Sequence, residues 1–337
     1  MEAALYDPDE GFYARPPVGT EGHFVTNPHV SEVFGALVAR QLGEAWDLLG
    51  EPDPFHVVEF AAGDGTLARQ VLDAARGALA FAEAIRYLAV ERTPGARHAL
   101  AAAGLETVEP ERLPAGLTGV VLANELLDNL PFRLVRRTDD DLEELRVGVD
   151  ETGGFAFVPA PADDDLRELA RGLEPGGRAA VGREPQRWLE AAAGVLERGW
   201  IVVFDYGGDG PRAPQTYRSH QAGEDLLRDP GSADITAGVD LRALAERGRE
   251  LGLGVWGPVS QRDALLALGF GERAEVQRAA TAEDRDAGRH LDAARRWARR
   301  SRESLLIEPS GLGGLQVMVF GVGVDRELAA TRGAAGG

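Results

Sequence analysis

Short apolar runs alternate with stretches of helical periodicity through the first two thirds of the chain. His56-Val-Val-Glu-Phe60 reads as a buried strand, because a continuous β-branched and aromatic run suits a strand covered on both faces. A helix is predicted near Thr66 to Ala75, then a strand over Arg86-Tyr-Leu-Ala-Val-Glu91 and a helix from Pro94 to Ala103. Gly119-Val-Val-Leu-Ala-Asn124 and Trp200-Ile-Val-Val-Phe-Asp205 read as further buried strands, each ending in polar residues. This alternation predicts an α/β fold with a mostly parallel sheet covered by helices. Upstream, Val30 to Leu49 has apolar residues at helical spacing and predicts a helix packed across the sheet, whereas Tyr6 to Pro28, rich in Gly, Pro and aromatics, predicts an ordered loop. Thr138 to Pro161 predicts a β-hairpin turning at Thr152-Gly-Gly, Arg285 to Arg302 an exposed helix, and Leu315 to Val324 a late strand of the sheet.

These elements divide the chain into an N-terminal cover and helix over 1–50, a core over 51–135 and 195–330, and an inserted hairpin and helical region over 136–194. With 337 residues, 44% of them hydrophobic, there is enough material for a sizeable core. No run of eighteen apolar residues occurs and the N-terminus has no basic and apolar leader pattern, so the expected location is cytoplasmic, with no membrane partner.

Charge and composition narrow the chemistry. A net charge of −19 disfavours a broad phosphate-backbone contact, so no nucleic-acid partner is expected; a local basic patch is confined to Arg285 to Arg302. There is no cysteine, which excludes disulfides and thiolate catalysis, and the six histidines show no metal-binding spacing, so no metal is expected. No lysine occurs either, which excludes Schiff-base chemistry and a lysine-based phosphate loop.

The segment Val57-Val-Glu59-Phe-Ala-Ala-Gly63-Asp-Gly65-Thr-Leu67 places strand, small-residue turn and helix in order, so that the backbone can approach a ligand. Leu67 and Ala68 stand where a dinucleotide fingerprint needs its third glycine. Glu59, four positions before Gly63, suits a nucleoside ligand with a cationic amino-acid tail; an ordinary tight turn is the alternative. Glu91 ends the next strand 28 positions after Gly63, where a carboxylate can accept both ribose hydroxyls; a solvated strand-end carboxylate is the alternative. Asn124, Glu125 and Asp128 follow a buried strand where α/β enzymes place substrates, and carboxylates there would orient an acceptor for in-line displacement; simple helix capping is the alternative. Asp205, Tyr206 and His220, with Tyr217, Asp234 and Thr236, are candidates for the substrate mouth or for structural roles.

Taken in order, these segments resemble the MidA-like family of class I methyltransferases. The likeness begins at Leu5-Tyr-Asp-Pro-Asp-Glu-Gly-Phe-Tyr13 and continues through Gly22-His-Phe-Val-Thr26-Asn-Pro-His-Val-Ser31-Glu-Val-Phe-Gly35, Glu59 to Leu67, Val90-Glu91-Arg-Thr-Pro94 and Ala123 to Pro131. It resumes at Phe204-Asp-Tyr-Gly207, Thr216 to His220, Pro230 to Thr236 and Ile307 to Gly313. The resemblance implies a doubly wound, Rossmann-like class I methyltransferase sheet with an N-terminal cover segment and an inserted substrate-facing region. It implies S-adenosyl-L-methionine as cofactor, held by Glu59, Gly63, Gly65, Glu91 and Thr26, with Asn124, Glu125 and Asp128 as catalytic residues. Mitochondrial members of the family are arginine methyltransferases required for assembly of respiratory complex I, so the implied partner is a methyl acceptor, protein arginine first and a small molecule or peptide second. A non-catalytic assembly factor that retains the cofactor pocket is a further alternative, and a homodimer is compatible with the sequence. The family's turn reads ELGPGRGT, whereas Ala61, Ala62 and Asp64 stand here in place of glycine, proline and a basic residue. His23 replaces an aspartate and His29 a glutamate.

Overall fold

The computed structural model describes residues 1–14, 26–218 and 221–332. The chain forms two compact units, one of residues 25–124, 193–204 and 253–337, the other of 1–24, 125–192 and 205–252.

The first unit is built on a seven-stranded sheet. In chain order its elements are α1 (Glu32–Leu49), β1 (Phe55–Phe60), α2 (Thr66–Ala75), β2 (Ile85–Val90), α3 (Pro94–Ala102), β3 (Glu106–Val108), β4 (Leu117–Asn124), β5 (Leu196–Asp205), β6 (Gly254–Ser260), α4 (Phe270–Asp286), α5 (His290–Glu303) and β7 (Gln316–Val322). Across the sheet the order is β6-β7-β5-β4-β1-β2-β3. Strands β3, β2, β1, β4 and β5 pair in parallel, and β6 with β7 antiparallel. The chain runs outward from β1 to β3 and then crosses back to β4, so the order reverses between β1 and β4, the place where open α/β sheets bind ligands at the carboxyl ends of their strands. The sheet is buried on both faces because its central strands are almost wholly apolar; Val57, Val58, Val120, Val121, Ile201 and Val203 are all fully buried. α1 packs Val33, Phe34 and Leu42 into this core, and Phe34 meets Phe204 edge to face at 5.4 Å. Ser31 caps α1 by accepting from the Val33 N–H, and Gly50 closes it at φ +86°.

The second unit holds two antiparallel sheets. One has four strands in the order Phe155–Pro161, Leu142–Val149, Arg133–Arg137, Arg178–Val181, closed by the helix Asp164–Leu169 over Val135, Leu142 and Ala179. The other pairs Gln221–Gly223, Gln215–Arg218 and Asp234–Thr236. Leu5 and Phe12 pack on Ile235, which fastens the N-terminal residues into this unit.

Several expectations are corrected. The segment read as a loop from Tyr6 to Pro28 contains the end of a helix (Glu2–Tyr6), a single turn (Phe12–Ala14) and the start of a helix (Asn27–Val30) whose Pro28 suits a first turn, where its missing N–H has no intrahelical partner to lose. Arg285 to Arg302 is not one helix: the chain breaks at Gly288 (φ +72°) between α4 and α5, and Asp284 ties the two by pairing with Arg289 and Arg296, both at 2.7 Å. The division by sequence also shifts. Residues 205–252 group with 125–192, because the strand Asp234–Thr236 and the bonds of Asp205 fall there, and residues 25–50 group with the sheet through α1.

Candidate active site

Between β1 and α2 the backbone turns through conformations that L side chains disfavour. Ala61, Gly63 and Gly65 have φ of +53°, +58° and +74°. A Cβ placed on Gly63 would meet no described atom within 4 Å, so the turn offers bare backbone to open space, as a ligand held by main-chain contact requires. Gly65 is fixed for the opposite reason, since a Cβ there would come within 2.6 Å of Leu105 and 2.8 Å of Leu100. Glu91 follows β2, and its carboxylate accepts from the Gly63 N–H at 2.7 Å. The two residues picked out 28 positions apart in sequence are thus joined directly, and burial pushes the Glu91 carboxyl up. Arg97 donates to the Glu91 carbonyl at 2.8 Å and to Glu109 at 2.8 Å, which steadies the strand end.

Glu59 differs from its expected role as a standing anion. It is 4% exposed inside the sheet and accepts from the Tyr87 hydroxyl at 2.9 Å. Burial, joined by the nearby carboxylates Glu91 and Asp64, pushes its carboxyl up to about 8, so at neutral pH it is chiefly the neutral acid.

Thr26 Oγ1 meets His29 Nδ1 at 2.8 Å, His29 Nε2 meets Asp64 Oδ2 at 3.1 Å, and Asp64 Oδ1 accepts from the Thr66 N–H at 2.9 Å. Although burial works the other way, the His29 and Thr66 bonds hold Asp64 well below the usual carboxylate range. Two positions that depart from the family pattern, His29 and Asp64, therefore partner each other. Thr26 reaches the turn only through His29.

Asn124 ends β4, and Asn27 donates to its carboxamide oxygen at 3.0 Å and to Gln261 at 2.9 Å. Gln261 donates back to Asn27 at 2.7 Å and to the Leu306 carbonyl at 3.0 Å. Neither Asn27 nor Gln261 was singled out by sequence. Asn27-Pro28 could have been found as a helix start, but nothing in the sequence marks Gln261.

The second unit carries the carboxylates that follow. Glu125 stands at φ +53°, an uncommon conformation for a residue with a side chain, at the entry to the single turn Leu127–Asn129. Asp205, expected at the substrate, is fully buried; its Oδ2 accepts from the N–H groups of Leu126 (3.1 Å) and Leu127 (2.7 Å), and its Oδ1 from Tyr206 (2.8 Å). Its carboxylate shapes the Glu125–Asp128 loop. Asp128 does not cap a helix: it lies within the turn, its carbonyl accepts from the Ala237 N–H at 2.8 Å, and its Oδ1 is buried with no hydrogen-bond partner among the described residues. Burial, followed by the charges of Asp205, Asp234 and Glu125, pushes Asp128 well above the carboxylate range. Burial raises Asp205 and Asp234 to about 6. Asp234 is held by the Tyr13 hydroxyl at 3.0 Å and by Asn129 Nδ2 at 3.0 Å, two partners that sequence reasoning missed because neither lies near it in the chain. Tyr206 is 40% exposed. His220 and His23 lie outside the described residues.

Ala61 supplies a test of the turn. Its positive φ in place of glycine stores strain of about 1 kcal/mol, so Ala61→Gly is expected to stabilise the fold by about that amount, read as a higher urea midpoint. An unchanged or lower midpoint would show that the turn is relaxed with alanine.

Comparison with known proteins comes to the same place. A family profile described as "Putative S-adenosyl-L-methionine-dependent methyltransferase" matches residues 37–259. The chain is 30% identical over 300 residues to the protein arginine methyltransferase NDUFAF7 homolog, mitochondrial, of Drosophila melanogaster, covering 77% of this chain and 68% of that one. It is 27% identical over 316 residues to the Homo sapiens protein arginine methyltransferase NDUFAF7, mitochondrial, covering 82% of this chain and 70% of that one. Among solved structures it is similar to a Burkholderia thailandensis protein bound to S-adenosyl-homocysteine, with a TM-score of 0.82, 27% identity, and coverage of 99% of this chain and 89% of that one.

Proposed function

This chain belongs to the S-adenosyl-L-methionine-dependent methyltransferase family whose profile it matches, and from that premise we propose that it methylates an arginine guanidinium of a protein partner. It is an enzyme with S-adenosyl-L-methionine as cofactor. The residues present fit that group: the turn at Gly63 is open, glycine-built and braced by a strand-end carboxylate. Bound there, the cofactor supplies an electrophilic methyl on a sulfonium, which in-line attack by the acceptor nitrogen releases as a thioether. Gly63 lets the backbone approach it, Gly65 lets the turn pack on Leu100 and Leu105, Glu91 takes the ribose hydroxyls, and Asn124, fixed by Asn27, closes the strand end.

The observation that carries the acceptor is the group of carboxylates starting immediately after β4. Glu125 and Asp128 follow Asn124 in the chain, in a loop held by two backbone bonds to Asp205, from Leu126 and Leu127. A guanidinium pairs with the Glu125 carboxylate in a planar fork, which orients the attacking nitrogen and stabilises its charge, while burial keeps Asp128 a neutral acid. Asp234, raised by burial to about 6 and so ionised at neutral pH, gives the proton lost on methylation a place to go. Asp205 positions this loop and makes no substrate contact in this scheme. The similarity to protein arginine methyltransferases of Drosophila melanogaster and Homo sapiens favours the same substrate class.

The test is transfer of radiolabel from the methyl donor into a host lysate, followed by acid hydrolysis. Label is expected in protein bands and in methylarginine; label confined to low-mass extract overturns the arginine reading. Glu125→Gln keeps the shape and φ of the residue while removing its charge, so transfer should fall tenfold to a hundredfold, the worth of a hydrogen bond to a charged group, with S-adenosylhomocysteine affinity within threefold of wild type.

A further inference from the structure

A cavity of about 230 Å³ lies beside the start of α1 and the α4–α5 hairpin, away from the turn at Gly63 and wholly within the sheet-bearing unit. Val33, Phe270 and Ile307 give it an apolar wall, and three arginines, Arg273, Arg278 and Arg300, line it as well. In a chain of net charge −19 such a concentration of guanidinium groups is unusual.

Most arginines of this region already have a carboxylate. Asp284 holds Arg289 and Arg296, Glu32 pairs with Arg299 at 3.4 Å, Asp292 with Arg295 at 3.6 Å, and Glu275 with Arg278 at 3.6 Å. Arg273 and Arg300 are the cavity arginines that make no ion pair among the described residues. Arg273 Nε is moreover buried with no hydrogen-bond acceptor among the described residues. Burying a guanidinium N–H without an acceptor is costly, and the cost is relieved when an anion completes the pair.

Charge decides which anion. Glu303 also lines the cavity, is 2% exposed, and accepts from Gln277 at 3.3 Å; its charge offsets one guanidinium and leaves roughly one positive charge to be matched. That balance favours a monoanion over a dianionic phosphate, the planar guanidinium favours a carboxylate, and the apolar wall favours a carbon body on it. We propose that this cavity is a second ligand site, distinct from the cofactor turn, which takes a small organic carboxylate with an apolar body.

The experiment is calorimetric titration of the full chain with benzoate, with inorganic phosphate as the comparison anion and S-adenosylhomocysteine as a check on the fold. Saturable benzoate binding, weakened at least tenfold in Arg273→Gln and in Arg300→Gln while S-adenosylhomocysteine binding stays within threefold, supports the site. Should either arginine variant also lose S-adenosylhomocysteine, Ala274→Leu decides, since it fills the cavity and leaves both guanidinium groups in place; it should abolish benzoate binding alone. No saturable benzoate binding to the wild type, equal binding in the variants, or binding of phosphate in preference to benzoate overturns the proposal.

Discussion

Glu91→Ala is expected to weaken S-adenosylhomocysteine binding by a factor of about a hundred to a thousand. Two proposed bonds from its carboxylate to the ribose hydroxyls, each worth about 1.5–3 kcal/mol as hydrogen bonds to a charged group, would be lost together. The same change leaves the Gly63 N–H without the acceptor it meets at 2.7 Å, loosening the turn against which the ligand is placed. At the lower part of that range the two bonds total about 3–4 kcal/mol, which converts to two to three orders of magnitude in affinity. Calorimetric titration reads this directly. A loss of tenfold or less would confine Glu91 to bracing the turn and remove it from the ribose contact.

Stability should fall as pH rises from about 5 to about 8, the reverse of the ordinary trend for carboxylates held in ion pairs. In the fold Glu59 is raised to about 8, and Asp205 and Asp234 to about 6. Below their unfolded values near 4 both states carry the protons, and the contribution of these groups is fully present. Above it the unfolded chain ionises while the folded one retains its protons, so stability is lost with rising pH, at about 1.4 kcal/mol per proton per pH unit. The two aspartates complete this near 6 and Glu59 continues to 8. Asp64 has the opposite sign, but its lowered value places its loss below pH 4, outside this window. Glu59→Gln keeps an acceptor for the Tyr87 hydroxyl and has no charge to bury, so it should flatten the slope between pH 6 and 8 and stabilise the protein by on the order of 2–4 kcal/mol at pH 8. Urea unfolding of both proteins at pH 5, 6, 7 and 8 tests this, and parallel curves for the two would refute it.

The cofactor half of the molecule could be read from sequence because its logic is local. Strand, turn and helix follow one another from Val57 to Ala75, the helix bounds Thr66–Ala75 match the expected ones, and Glu91 is fixed by lying at the end of the next strand. The parallel character of the sheet follows from the alternation of elements, since buried parallel strands need crossover helices. What stayed hidden depends on partners far apart in the chain. Neither Tyr87 nor Gln261 shows by its neighbours that it will bond Glu59 or Asn27. Asp205 looked like a substrate ligand because it ends a strand, but the amides of the distant Leu126 and Leu127, with that of its neighbour Tyr206, use up its carboxylate. The strands Arg133–Arg137 and Arg178–Val181 were not foreseen; their arginines blur the alternation that marks an exposed sheet. A helix was expected across Gly288 because arginines are good helix formers, and the left-handed break at Gly288 overrides that tendency.

The bond from the Tyr13 hydroxyl to Asp234 joins residues 221 positions apart. During synthesis at about 5–20 residues per second, Tyr13 leaves the ribosome some 10–45 s before its acceptor exists. Leu5 and Phe12, which end up against Ile235, are exposed to solvent for the same interval. The nascent chain therefore carries an uncovered aromatic segment ahead of its own docking site, and the segment with which this unit begins is among the last parts of it to find its place.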